Sequence, residues 1–90
     1  MTTPDIMRSV DLFAEINRFQ PDVPAGRRSE ILVKTPTLRV VLITMKAGTE
    51  SDEHHVDGPI TIQALKGTFS IITGDTSTEL KQGEFVPLPG

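Results

Sequence analysis

The sequence GTESDEHHVDGPITIQALKG, from Gly48 to Gly67, decides how the chain is interpreted. It contains the only two histidines, the densest run of acidic residues and an alternating pattern bounded by turn residues. Successive side chains of a strand point to opposite faces, so Ile60, Ile62 and Ala64 are predicted to share one face. This stretch therefore joins a predicted strand to the residues best suited to bind a metal ion.

Short strands separated by turn residues continue on both sides of this stretch. The predicted strands are Ser29–Thr35, Leu38–Lys46, Ile60–Lys66, Thr68–Thr73, Thr76–Leu80 and Glu84–Leu88. The second of them, LRVVLITMK, is apolar almost throughout, as expected of a strand that is covered on both faces. Gly74-Asp75 is predicted to be a hairpin turn. About six short strands at even spacing indicate an all-β sandwich or barrel.

The N-terminal part has a different pattern. Residues 1–4 are predicted to be a tail, and residues 5–19 a short amphipathic helix or loose helical turns, within which Ser9 or Asp11 could cap a second start. Apolar residues recur there at three- and four-residue spacing: Ile6, Val10, Phe13 and Ile16. Residues 21–28, PDVPAGRR, are predicted to be a loop. We therefore divide the chain into an N-terminal tail, helix and loop over residues 1–28 and a β domain over residues 29–90.

Length and composition exclude several classes of protein. Ninety residues predict one domain, and a net charge of −3 argues against a general nucleic-acid binder. The absence of cysteine excludes disulfides and thiolate metal sites. No apolar run approaches the ~18 residues of a membrane span, and the N-terminus does not have the pattern of a signal peptide. We therefore expect a cytoplasmic protein that binds neither nucleic acid nor membrane.

The glycine and histidine spacing resembles a known family. Gly48 is followed by five residues and then His54, and Gly67 lies at the turn after a predicted strand. This frame resembles the first motif of the cupin superfamily, which reads Gly, five residues, His-x-His, three or four residues, Glu, six residues, Gly. The end of the chain, QGEFVPLPG, is similar to the opening of the second cupin motif, with Gly83 and Pro89 in place.

The resemblance covers residues 29–90 and implies a small jelly-roll barrel of cupin type, preceded by the short helix and incomplete at its C-terminus. It also implies a metal site, but most of the motif's ligands are replaced. Val56 stands where the second histidine of His-x-His would be, and Ile60 where the glutamate would be. The histidine of the second motif would fall after Gly90. Only His54 occupies a ligand position of the family.

The histidine pair is a weak candidate for a metal site on geometric grounds as well. His54 and His55 are adjacent and would point to opposite faces of a regular strand, although a β-bulge would bring both to one side. Zinc and non-haem iron sites commonly need a third protein ligand, which Glu50 or Asp57 could supply. The alternatives are a solvated acidic loop, an adventitious site for a divalent metal such as Fe, Mn, Ni or Zn, and a pH-responsive loop. We favour the solvated loop.

The resemblance leads to a function without an assigned cofactor or catalytic residue. We expect a small-molecule-binding or otherwise non-catalytic cupin-like module with a degenerate metal site. Its apolar interior would be lined by Leu42, Ile60, Ile62, Phe69 and Ile71. The first alternative is a metal-dependent cupin enzyme, of dioxygenase or isomerase type, that uses His54 and His55. The second is a purely structural or interaction domain.

Size and strand edges predict self-association. A domain of this length buries little apolar surface, and a barrel that is incomplete leaves strand edges without partners. We therefore expect a homodimer or a strand-exchanged assembly, with the N-terminal helix covering part of one edge.

Overall fold

The computed structural model describes residues 8–51 and 58–89, which contain one helix and six strands. The elements are α1 (Leu12–Arg18), β1 (Arg27–Lys34), β2 (Arg39–Met45), β3 (Ile60–Gln63), β4 (Phe69–Thr73), β5 (Thr76–Leu80) and β6 (Phe85–Leu88). The prediction of a mostly β chain with a short helix before the strands is confirmed. The chain divides into two compact units, Met1–Asp52 and Glu53–Gly90.

The helix is shorter than predicted because Asp11 caps it. The Asp11 carboxylate accepts a 3.1 Å hydrogen bond from the main-chain N–H of Ala14, which satisfies one of the helix's free donors. Asp11 itself has an extended backbone, so the helix begins at Leu12. It ends at Arg18, and the N–H of the C-cap residue Phe19 bonds to the Glu15 carbonyl at 2.9 Å. Of the two predicted caps, Asp11 is the one used, and residues 5–7 lie outside the described part.

Strands β1 and β2 form an antiparallel hairpin with one irregularity. Ile31 pairs with Val41, but the next pair is Val33 with Val40, so Leu32 is an extra residue in β1. Because paired residues share a face, Ile31, Val41 and the following odd-numbered residues of β2 lie on one side of the hairpin. We call the opposite side, which carries Leu42 and Thr44, the helix-side face.

The end of α1 is attached to the helix-side face. The hydroxyl of Thr44 donates a 2.7 Å hydrogen bond to the carbonyl oxygen of Phe19. The guanidinium of Arg28, which pairs with Thr44 across the hairpin, lies 5.5 Å from the centre of the Phe19 ring. The guanidinium of Arg18 lies 5.1 Å from the same ring. The Phe19 ring therefore has two cations close to it, one from the helix and one from β1.

The prediction that β2 is covered on both faces is not borne out. Leu42 is its only buried residue, whereas Val40, Val41 and Ile43 are all exposed. In the structure, Thr44 on the helix-side face bonds to the end of α1, whereas Val41 and Ile43 on the opposite face are exposed. An apolar strand sequence alone does not specify what covers it.

The second unit contains two nested antiparallel ladders. Strands β4 and β5 form a hairpin, and β3 and β6, which flank that hairpin in the sequence, pair with each other. Ile60 pairs with Leu88, and Ile62 with Val86. The β3–β6 pairing continues one step, since Ala64 accepts a bond from the N–H of Gly83 at 2.7 Å and donates to Glu84 at 2.9 Å. Residues 60–73 and 76–88 therefore run as the two arms of one interrupted hairpin.

The predicted turn at Gly74-Asp75 is confirmed. Thr73 pairs with Thr76, so the turn has two central residues, and Gly74 takes the first of these positions with φ of 58°. Glycine at that position is typical of a type II′ turn, whose twist suits a hairpin. The two-residue turn places Phe69 opposite Leu80.

Few side chains are buried in the described part of the chain. The buried apolar residues there are Ile16, Leu42, Ala64 and Leu80. Within residues 8–51 and 58–89, no buried polar or charged residue is found. The single helix described is too short to cross a bilayer.

Candidate functional site

The predicted metal ligands fall largely outside the described residues. His54, His55 and Asp57 lie in the segment 52–57, which the structure does not describe, so these predictions stand as made. Glu50 lies within the described part and is exposed. Across residues 8–51 and 58–89, no three His, Asp or Glu side chains come together in a way that could hold a metal ion.

The residue immediately before the histidine segment is attached to β1. Nη1 of Arg27 donates a 2.6 Å hydrogen bond to the Ser51 hydroxyl. Arg28, one position along the strand, points to the opposite face, where its guanidinium lies 3.4 Å from a Glu30 carboxylate oxygen. The two arginines therefore point to opposite faces of the hairpin, and each has an intramolecular partner.

Two of the predicted lining residues lie on the β3–β6 ladder. Ile60 and Ile62 share one face of β3, as the alternation predicted. Their cross-strand partners Leu88 and Val86 bring apolar side chains to the same face. Ile62, Val86 and Leu88 are half-buried, and Ile60 is 37% exposed. This face is therefore apolar and only partly covered.

Two more predicted lining residues lie on the β4–β5 ladder. Phe69 and Ile71 share one face of β4, and both are half-buried. Their partners across the hairpin are Leu80 and Thr78. Ile72, which follows Ile71 and points to the other face, is 69% exposed. The ladder thus has a more covered face with Phe69 and Ile71 and an open face with Ile72.

Leu42, the remaining predicted lining residue, belongs to the first unit. It is 7% exposed and lies on the helix-side face of the hairpin, on the same side as Thr44. Since Thr44 bonds to the end of α1, Leu42 lies on the face that packs toward the helix. Its burial is as expected of a core residue.

Two buried residues of the second unit were not among the predicted lining residues. Leu80, at 3% exposed, lies opposite Phe69, and Ala64, at 2% exposed, directly follows the last residue of β3. The position of Leu80 follows from the Gly74-Asp75 turn, because a two-residue turn fixes every later pair of the hairpin. The turn residues Gly74 and Asp75 are therefore the sequence signal that places Leu80 opposite Phe69.

The described part of the second unit offers apolar surface with few functional groups beside it. Thr78 lies opposite Ile71, on the same face of the β4–β5 ladder as Phe69. Its hydroxyl can donate a hydrogen bond to a ligand or accept one from it. No family model, curated protein or solved structure matches this chain. The functional interpretation therefore depends on the faces of the two ladders and on the sequence motifs.

Proposed function

We propose that this chain is a small-molecule-binding module of cupin type, and that the apolar faces of the second unit bind the ligand. The nested pairing of β3 with β6 around the β4–β5 hairpin supports a jelly-roll arrangement, since such folds wind long antiparallel hairpins into a double sheet. The Gly48 to Gly67 spacing supports the same family. The ligand would be a small and largely apolar organic molecule.

The observation that carries the proposal is the partly covered apolar face of each ladder. Ile62, Phe69 and Ile71 are half-buried, which leaves apolar surface that a ligand could still remove from water. Covering such surface contributes about 25 cal/mol per Å², so a small ligand gains binding energy without any charged contact. Ligand pockets are typically lined in this way, with a small number of polar groups that orient the ligand.

Adjacent isoleucines of β4 allow a matched test. The ¹⁵N-labelled protein would be titrated with a panel of small probes, including benzoate, indole and cyclohexanol, and the amide shifts followed by NMR. We expect saturable shifts in β3 and β4 for at least one probe, and at least about fivefold weaker binding in Ile71→Ala. Ile72→Ala, on the open face, is expected to bind as the parent does. Equal affinity in the parent and both variants, or no saturable shift with any probe, would contradict the proposal.

The alternative function, a metal-dependent cupin enzyme, is favoured by one observation. Acidic residues flank His54 and His55 in the sequence, so carboxylates and imidazoles lie close together along the chain. Metal analysis of protein purified without added metal would distinguish it. Stoichiometric iron, manganese, nickel or zinc that is lost in His54→Ala would favour the enzyme. Metal-free protein whose melting does not respond to these ions would favour the binding module.

A structural or interaction domain is the third possibility, and the same variants address it. In that case Ile71→Ala would lower stability, while no probe would bind either the parent or the variant. A stability measurement on Ile71→Ala and Ile72→Ala therefore accompanies the titration.

A further inference from the structure

We propose that the outer edge of β2 pairs with the same edge of a second copy of the chain. The two β1–β2 hairpins would then form a four-stranded antiparallel sheet in the order β1, β2, β2, β1. This interface lies on the first unit and does not depend on ligand binding by the second.

The main-chain bonds of the hairpin show which residues of β2 face outward. The N–H of Lys46 donates to the Gly26 carbonyl at 2.8 Å, and at the other end the N–H of Thr35 donates to Leu38 at 2.8 Å. Because the backbone groups of alternate residues point to the same edge, the even-numbered residues of β2 bond to β1. The groups of the odd-numbered residues, 39 to 45, point away from β1. Within the described residues, β2 has β1 as its only strand partner.

The two edges of the hairpin differ in their protection against pairing. Natural edge strands avoid association through charged side chains, bulges and proline. Strand β1 has such features, namely the extra residue Leu32 and four charged side chains: Arg27, Arg28, Glu30 and Lys34. Strand β2 is regular and contains a single charge, Arg39, among apolar and β-branched residues. The β2 edge is therefore the one open to another strand, and the β1 edges would end the sheet at two copies.

One register makes β2 complementary to itself. With a two-fold axis at Leu42, Val41 of each copy lies opposite Ile43 of the other, and Arg39 lies opposite Met45. All four outward-facing positions are then paired, giving about eight main-chain hydrogen bonds. If the axis shifts by one residue, at least one of the outward-facing residues 39 to 45 has no residue of the other β2 strand opposite it. No like charges are opposed in this register, and the facing pairs of β-branched residues are favourable.

The same pairing would also bury apolar side chains on the exposed face of the hairpin. Ile31, Val41 and Ile43 are 55%, 42% and 41% exposed on one face. Pairing across the two-fold axis would place Val41 and Ile43 of both copies side by side at the centre of that face. Apolar surface between these side chains would be removed from water in both copies at once.

A charge on the β2 edge tests this interface. Sedimentation velocity of the full chain over about 1–100 µM, the range in which interfaces of modest size associate, should show a dimer. We expect Ile43→Lys to raise the dissociation constant at least about tenfold. Ile72→Lys adds the same charge at an exposed position of β4 and is expected to leave the dimer unchanged. A monomeric parent, or an equal response of the two variants, would overturn the proposal.

Cysteine cross-linking tests the register. It also tests whether the two β2 edges pair at all, should Ile43→Lys fail to fold. The chain has no cysteine of its own. Val41→Cys and Ile43→Cys proteins would be mixed, allowed to exchange and oxidised. We expect a cross-linked dimer from the mixture, since facing Cα atoms are about 5.5 Å apart in such a pair. Either protein alone should cross-link much less, because identical positions lie about 9 Å apart. No cross-link in the mixture, or equal cross-linking of one variant alone, would overturn the proposed register.

Discussion

The hydroxyl of Thr44 on β2 donates a 2.7 Å hydrogen bond to the carbonyl oxygen of Phe19 at the end of α1. This bond joins a residue of the hairpin to a helix that lies 25 positions earlier in the sequence. The carbonyl has no partner within the helix, because the last carbonyls of a helix cannot be satisfied internally. Thr44 therefore links the stability of the hairpin to that of α1.

Replacement of Thr44 by valine should lower the free energy of unfolding by about 1 kcal/mol. Valine keeps the shape and strand preference of threonine but leaves the Phe19 carbonyl without its donor. The measurement is urea unfolding followed by far-UV circular dichroism, since the chain has neither Trp nor Tyr. Thr78→Val, at an exposed strand position of β5, is the control and should change stability by less than about 0.5 kcal/mol. Equal effects of the two substitutions would show that the bond contributes nothing.

Replacement of Phe19 by leucine should remove both cation–π contacts. Arg18 and Arg28 lie within ~6 Å of the ring centre, the range in which such contacts contribute about 0.5–1 kcal/mol at exposed sites. We expect Phe19→Leu to cost roughly 1–2 kcal/mol in urea unfolding. Phe13→Leu is the control, since Phe13 is 55% exposed on α1, and should cost less than about 0.5 kcal/mol. If Phe19→Leu had no larger effect than Phe13→Leu, the ring would not be stabilised by its cations.

Replacement of Gly26 by alanine should be costly for two reasons. Its φ is +73°, where an L-residue loses roughly 1–2 kcal/mol, and a Cβ there would lie 3.0 Å from the Thr49 hydroxyl oxygen. Gly48→Ala isolates the first effect, because Gly48 has a similar positive φ of +82° but has open space around it. We expect Gly26→Ala to be the more destabilising in thermal unfolding.

The double variant Gly26→Ala/Thr49→Ala separates the contact from the backbone. Without the Thr49 hydroxyl, the loss of stability caused by the alanine at position 26 should fall to that of Gly48→Ala. Gly26→Ala could instead destabilise the protein equally with and without the Thr49 hydroxyl. In that case the Thr49 side chain rotates away from the new Cβ, and only the strain of the positive φ destabilises the protein.

Replacement of Asp11 by alanine should weaken α1. Loss of an N-cap typically costs about 1 kcal/mol, and a helix of seven residues has few other bonds to compensate. Asp22→Ala, which removes the same charge from an exposed loop position, is the control. We expect Asp11→Ala to reduce both the unfolding midpoint and the helical circular dichroism signal. Asp11→Asn should retain most of the stability, because asparagine caps nearly as well.

Local signals in the sequence predicted the elements well. The turn at Gly74-Asp75, the capping role of Asp11 (one of two predicted caps) and the alternation of Ile60 and Ile62 each depend on residues close together in the chain. Thr76–Leu80 was predicted with the bounds that the structure shows. The predicted Ile60–Lys66 strand ends at Gln63, because the chain bends after Ala64 on its way to Gly67.

Properties that depend on distant parts of the chain were harder to predict. The exposed face of β2 is not predicted by its sequence, because the same apolar run would suit a strand covered on one face or on both. The attachment of Phe19 to Thr44 and Arg28 leaves no pattern in the sequence, since it arises from the path of the intervening loop. The metal ligands at His54 and His55 and the family resemblance remain predictions from spacing.

The nested ladders of the second unit imply an order of assembly. The β4–β5 hairpin closes across two turn residues, whereas Ile60 and Leu88 are separated by the whole of that hairpin. If β3 paired with β6 first, the chain would have to close a long flexible loop, at a corresponding cost in entropy. Once the hairpin has formed, the ends of its strands already hold β3 and β6 near each other. Folding of this unit is therefore expected to begin with the β4–β5 hairpin at Gly74-Asp75 and to continue outward to the β3–β6 pairing. The folding rate should be sensitive to substitutions in that turn.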